Sequence, residues 1–128
     1  MPKKTSIMTA IPYVNSTPHI GNVLTTLSGD ITARYMRMRG HDVFFQVGTD
    51  ENGLKIKEAA EAKGEDVHTF VDAISQRFAD IFQSLKISSD AFVRTTEDRH
   101  VKACQELFRR LQATGHIYEG TYEGWYDV

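Results

Sequence analysis

Val43-Phe44-Phe45-Gln46-Val47, a β-branched and aromatic run that stops at Gly48, decides the fold of this chain. It is short and rich in residues that suit a pleated surface, so it reads as a buried strand. Ahead of it, Val23, Leu24, Leu27, Ile31, Tyr35 and Met38 recur at helical spacing between Gly21 and Arg39, and Gly40 stands where a left-handed cap would end a helix. Further back, Ser6-Ile7-Met8-Thr9-Ala10-Ile11, closed by Pro12, reads as another buried strand. Strand, helix, strand is a βαβ unit, whose strands run parallel and whose crossover is right-handed. The loops that follow the two strands, residues 11–22 and 48–53, must then leave the same carboxyl edge of one sheet, where open α/β sheets bind ligands.

Beyond Gly53 the pattern turns helical. Leu54 to Lys63 reads as a short helix closed by Gly64. Asp66 can cap a longer one, with Val67, Phe70, Val71, Ile74, Phe78, Ile81, Phe82 and Leu85 as its core-facing stripe. Phe92-Val93 is a candidate short strand. Thr96 can cap a last helix, with Val101, Cys104, Leu107, Phe108 and Leu111 inward and Gly115 as its stop; on this reading Cys104 is a packing residue. Ile117 to Val128, with Tyr118, Tyr122, Trp125 and Tyr126, reads as one or two strands. There is no internal repeat, low-complexity tract or linker.

Composition narrows the function classes. The 128 residues carry 15 basic and 17 acidic side chains, a formal net charge of −2 and 41% apolar content. That is enough apolar material for one core, without the basic excess of a nucleic-acid surface. The single cysteine excludes an internal disulfide and a Cys-x-x-Cys knuckle, and favours a reducing, cytoplasmic setting. No stretch approaches the roughly 18 to 20 apolar residues of a membrane helix, and Met1-Pro2-Lys3-Lys4-Thr5 does not begin a signal peptide.

The first loop, Ile11-Pro12-Tyr13-Val14-Asn15-Ser16-Thr17-Pro18-His19-Ile20-Gly21-Asn22, delivers the chain into a helix N-terminus, whose free amides and partial positive charge suit a phosphate. It is neither Gly-x-Gly-x-x-Gly nor a P-loop. His19 and Asn22, three apart, can converge on one anion, and Gly21 between them admits a flat ring close to the backbone; the competing reading is a surface histidine and a plain asparagine cap. In the second loop, Gly48-Thr49-Asp50-Glu51-Asn52-Gly53, the two carboxylates can hold an ammonium or a metal ion, or can cap the helix that starts near Leu54. No His-Glu-x-x-His or comparable zinc spacing occurs.

Pro12 to Asn22 resembles the adenylate-forming motif of class I aminoacyl-tRNA synthetases, usually ending His-Ile-Gly-His. Ala10-Ile11-Pro12-Tyr13, Arg34-Tyr35-Met36-Arg37-Met38-Arg39-Gly40-His41, Gly48 to Ile56, Arg94-Thr95-Thr96 and Tyr122-Glu123-Gly124-Trp125-Tyr126 extend the resemblance, in order and spacing, to the methionyl-tRNA synthetase family. The resemblance implies an α/β, Rossmann-like parallel sheet with flanking helices. Residues 1–116 would be the incomplete first half of a class I catalytic domain and 117–128 the start of its connective insertion. It also implies a reaction in which methionine attacks the α-phosphate of ATP, with Mg2+ on the leaving pyrophosphate, and the acyl group passes to tRNA.

On the same resemblance, His19 and Asn22 are the catalytic pair, and Pro18, His19, Gly21 and Asn22 bind ATP. Ala10, Ile11 and Tyr13 line the methionine pocket, and Asp50 takes the α-ammonium. Asn22 and Asn52 stand where the family usually has histidine. An asparagine still donates a hydrogen bond to a phosphate oxygen but carries no charge. The sequence closes at Val128, ahead of the family's Lys-Met-Ser-Lys-Ser loop, zinc knuckle and anticodon-binding part. No protein-bound zinc is expected here, tRNA contacts would come from later parts, and the unfinished sheet suggests self-association. A synthetase-like module that binds ATP without aminoacylation is the alternative. A nucleotidylyltransferase explains the phosphate loop but not the other matches.

Overall fold

The computed structural model describes residues 2–125. The chain divides into two compact units, Met1–Glu97 and Asp98–Val128. The first unit holds strands β1 (Lys4–Met8), β2 (Asp42–Thr49) and β3 (Ala91–Arg94), with helices α1 (Ile20–Met38), α2 (Leu54–Lys63) and α3 (Val67–Ser84) between them. The strands form one parallel sheet in the order β1-β2-β3, with Lys4 opposite Asp42 and Thr49 opposite Arg94. This is the α/β arrangement with flanking helices that the sequence implies.

The core is built on one face of the sheet. Val43, Phe45 and Val47 of β2 join Ala33 of α1, Ile56 and Ala60 of α2, and Phe70, Val71, Ile74, Phe78 and Phe82 of α3 in a single buried cluster. Each buried phenylalanine contributes about 1.5–3 kcal/mol, so α3 is the main source of stability. Its cap is the expected one: Asp66 Oδ1 accepts from the amides of His68 and Thr69 at 3.0 and 3.1 Å. Leu85 falls outside the buried stripe and is exposed.

Two expectations about the first βαβ unit need correction. The first strand ends at Met8, so Thr9, Ala10 and Ile11 belong to the loop; it is also an edge strand in which exposed and half-buried residues alternate. Second, the apolar spacing that locates α1 does not mark its docked face. Leu24 and Met38 are 64% and 79% exposed, while Thr26, Asp30 and Ala33 are buried. Small residues dock because the helix lies close to the sheet: a Cβ on Gly29 would stand 2.5 Å from Thr9 Cγ2 and 3.0 Å from Phe45 Cε2.

Polar bonds then fix α1 to the segment ahead of β3. Asp30 Oδ1 accepts from the Ser88 amide and hydroxyl at 2.7 and 2.6 Å, Oδ2 accepts from Arg34 Nε at 2.7 Å, and Arg37 reaches Ser88 and Asp90. Burial pushes the Asp30 carboxyl up, but the Ser88 and Arg34 hydrogen bonds outweigh it and hold it below the ordinary carboxylate value.

The second unit contains α4 (Asp98–Ala113), with Gly115 in the left-handed conformation after it. None of its residues is buried, so Val101, Leu107, Phe108 and Leu111 are exposed rather than inward. Cys104 is exposed too, with Sγ 3.5 Å from His100 Nε2, and is not a packing residue. The Thr96 hydroxyl donates to Glu51. Residues 117–125 contain no strand; Tyr126, Asp127 and Val128 lie outside the described residues. Among the described residues no helix is long and apolar enough to cross a membrane.

Candidate functional site

The two loops expected to share an edge are stitched together by backbone bonds. The amide of Asp50 donates to Pro12 O at 2.8 Å, the amide of Val14 donates to Asp50 O at 3.2 Å, and Tyr13 and Asp50 form an isolated parallel bridge. The first loop thus resumes, one step past the end of β2, the ladder that β1 left at Met8. Val14, fully buried, anchors this turn in the core. Its neighbour Tyr13 is exposed, with ring atom Cε1 3.8 Å from where a Cβ on Gly53 would stand.

Farther along the same loop His19 is the N-cap of α1, in extended conformation. Its Nδ1 accepts from the Gly21 amide at 3.1 Å, and its own amide donates to Asn22 Oδ1 at 3.1 Å. The anion reading and the capping reading are therefore compatible. Nδ1 and Oδ1 serve the cap, while Nε2 of the exposed imidazole and the Asn22 amide nitrogen keep donor capacity. Gly21 does admit a flat ring, but the ring against it is His19's own: a Cβ there would lie 3.1 Å from Nδ1 and Cε1.

Ala10, Ile11, Pro12, Gly21, Asn22 and Thr25 line one cleft of about 90 Å³. The structure thereby brings two expected methionine-pocket residues, Ala10 and Ile11, beside two expected ATP residues, Gly21 and Asn22. Pro18, His19, Tyr13 and Asp50 are not in that lining. Pro18 and His19 lead into α1, while Tyr13 and Asp50 are joined at the bridge.

The two carboxylates of the second loop have separate duties. Thr49 and Glu51 are buried and touch, Thr49 Oγ1 donating to Glu51 Oε1 at 2.8 Å. Alternation along an extended chain therefore turns Asp50 to the opposite side, where it is half-buried. The N-cap of α2 is Gly53, with no side-chain cap, so neither acid serves as a helix cap there. Asp50 Oδ1 accepts a long bond from the Asn52 amide, 3.3 Å. A half-buried carboxylate so placed can receive an ammonium group.

Sequence reasoning missed the role of Glu51. Its Oε1 accepts from Arg94 Nε at 2.6 Å, its Oε2 accepts from the Thr96 hydroxyl, and its amide donates to Thr95 Oγ1 at 2.8 Å. Arg94 also pairs with Asp72 of α3. Burial would raise the Glu51 carboxyl, but the Arg94, Thr96 and Thr49 hydrogen bonds prevail and hold it below its ordinary value; Glu51 in turn raises Arg94. The available signal was Arg94-Thr95-Thr96, which stands in register with the end of β2 once β3 is paired. Among the described residues no three His, Cys, Asp or Glu side chains are grouped to hold a metal ion.

Comparison with known proteins identifies the family. The family described as tRNA synthetases class I (M) matches residues 5–128. The methionine–tRNA ligase of Thermotoga maritima is 47% identical over 122 residues, 95% of this chain and 19% of that protein. That of Rickettsia prowazekii is 48% identical, over 95% of this chain and 24% of the relative. The fold superposes on Mycobacterium tuberculosis methionyl-tRNA synthetase in complex with methionyl-adenylate, with a TM-score of 0.87 and 40% identity, over 88% of this chain and 22% of that one. An Agrobacterium radiobacter LeuRS–tRNA–LeuAMS complex matches with a TM-score of 0.84 at 28% identity, over 91% of this chain and 15% of that one. The chain thus spans about a fifth of the length of the curated relatives it matches. With the family's motif at the head of α1 and its acidic loop bonded to that motif's approach, the chain belongs to the class I (M) tRNA synthetases.

Proposed function

We propose that the chain is part of a methionine–tRNA ligase, with residues 1–116 as the first half of its Rossmann-like catalytic domain and 117–128 as the start of its connective insertion. The observation that carries this reading is the bonding of Pro12 and Val14 to Asp50, which puts a carboxylate beside the loop that leads to His19. In this reading Asp50 holds the α-ammonium of methionine, and Ala10, Ile11 and Tyr13 line its side chain. The methionine carboxylate is thereby directed at the α-phosphate of ATP, and pyrophosphate leaves. His19 Nε2 and the Asn22 amide donate to phosphate oxygens as charge builds on them, and Pro18 and Gly21 border the adenine. Positioning and charge stabilisation are what such a step asks of a protein.

Mg2+ comes with the triphosphate as part of the substrate. tRNA binding belongs to parts of the relatives that this segment does not match, and a cytoplasmic setting fits the enzyme class. In the isolated chain, the exposed Leu24, Ile31, Tyr35 and Met38 of α1 and the edge strand β1 support self-association, which sedimentation velocity would read.

The test is amino-acid-dependent exchange of pyrophosphate into ATP by the whole protein that carries this segment, run with methionine, leucine, isoleucine, valine and cysteine. Exchange with methionine above all others is expected. Exchange driven by another amino acid, or by none, overturns the reading.

A further inference from the structure

Glu51 and Arg94 have no part in the chemistry just described, yet they form a buried ion pair one residue from Asp50. The Glu51 side chain is fully shielded, and that of Arg94 is 28% exposed. We propose that Glu51 and Arg94 are a positioning pair. They clamp the exit of β2 to the exit of β3 and so hold the Asp50 carboxylate, and the stretch of first loop bonded to it, at the rim of the sheet. The proposal rests on the reading of Asp50 as the partner of the substrate ammonium.

The geometry supports positioning over simple stabilisation. A buried ion pair adds little net stability, since desolvation offsets most of the attraction and an apolar pair would serve as well. What it does supply is direction. Glu51 is tied by its amide to Thr95 Oγ1 and by its carboxylate to Thr49, Arg94 and Thr96, which span both strand ends. Thr49 on the other side of Asp50 is fixed as well: its carbonyl accepts from the Thr95 amide at 3.3 Å and its hydroxyl lies 3.0 Å from Ser75 Oγ. With both neighbours immobilised, the Asp50 peptide has one orientation, in which its amide meets Pro12 O and its carbonyl meets the Val14 amide. Freeing Glu51 would loosen that peptide first and the first loop next.

The test is amide hydrogen exchange on the whole protein that carries this segment and on its variants. In Glu51→Gln the amides of Asp50 and Val14 should exchange about 10-fold faster or more, relative to the Phe78 amide in the core helix α3. Arg94→Lys, which keeps the charge but loses the two-pronged guanidinium, should show a smaller change of the same pattern. If Glu51→Gln does not fold, Arg94→Lys decides alone. Unchanged exchange at Asp50 and Val14, or acceleration equal to that of Phe78, overturns the proposal, because a merely structural pair would loosen everything alike.

In the whole protein, Glu51→Gln should raise the methionine KM about 10-fold and leave the ATP KM within about twofold. Equal rises in both also overturn it. Absence of methionine-dependent exchange in the unmutated protein would sink the proposed function instead, and the amide measurement would still decide the pair.

Discussion

The amide of His19 donates to Asn22 Oδ1 at 3.1 Å while the His19 ring accepts from Gly21, so the residue in the motif's last position locks the residue in its first. The replacement of histidine by Asn22 therefore keeps a structural duty as well as a donor. The two duties separate in Asn22→Asp. A carboxylate can still accept the His19 amide, and a negative charge at a helix start is favourable, so the melting temperature should stay within about 2–4 °C of the parent. The same charge repels phosphate, so methionine-dependent exchange should fall steeply. Asn22→Ala should instead cost about 1 kcal/mol of stability, read by urea titration, along with activity.

Gly48 of β2 stands opposite Val93 of β3. A Cβ there would lie 2.1 Å from Val93 O, a backbone atom with no side-chain freedom to escape. Gly48→Ala should therefore destabilise the fold by about 3 kcal/mol or more, through loss of the β2–β3 pairing that also seats Arg94. Gly29→Ala should cost less, about 1–3 kcal/mol, because Thr9 Cγ2 belongs to a side chain that can turn. Equal melting temperatures for the two variants would show that the strand contact relaxes more readily than the geometry implies.

Acid should weaken the fold through two buried carboxylates, Asp30 and Glu51, beside the surface cap Asp66, which its backbone bonds also hold below the ordinary value. The ordinary values are 3.8 for Asp30 and 4.5 for Glu51, and in the folded chain both lie lower, against their burial, because of their hydrogen bonds. The folded state therefore binds fewer protons than the unfolded one, and stability rises with pH in this range. The contribution is fully present above the ordinary carboxylate values and is lost as pH falls through the depressed folded ones. Urea midpoints measured from pH 7 downward should hold until about pH 5 and then decline. In Asp30→Asn, which lacks one of the two groups, the decline should be shallower. A parent midpoint that does not fall below pH 5 would contradict the assigned bonds.

Much of this architecture is legible in the residues because local signals agree with one another. Asp66, the stripe from Val67 to Phe82 and Gly64 define α2 and α3, since capping, period and helix-ending glycine all coincide there. What was not legible depends on contacts between distant parts. The buried side of α1 is set by how closely Gly29 lets the helix approach Phe45 and by the Ser88 bonds to Asp30, and neither fact is written in the spacing of Leu24, Ile31 and Met38. The placement of Asp50 beside the first loop follows from βαβ topology and was foreseeable. The division of labour between Asp50 and Glu51 was not, because it depends on Arg94 arriving from a strand more than 40 positions later.

Asp50 follows β2 and His19 heads α1, and their substitutions should fail differently. Asp50→Asn preserves size and the backbone bonds to Pro12 and Val14, so the loops should stay joined while the charge for an ammonium disappears. Loss of a charge-assisted partner of that kind costs about 2–5 kcal/mol, so the methionine KM should rise by about two orders of magnitude with the ATP KM nearly unchanged. His19→Ala removes the donor to phosphate and the N-cap acceptor together, so kcat for adenylate formation should fall, with methionine affinity less affected and a loss of about 1 kcal/mol in stability. His19→Asn provides the control. Asparagine is a good N-cap, so stability should return, and activity should not return with it if Nε2 is the group that meets the phosphates. Recovery of both in His19→Asn would show that the imidazole serves only to start the helix.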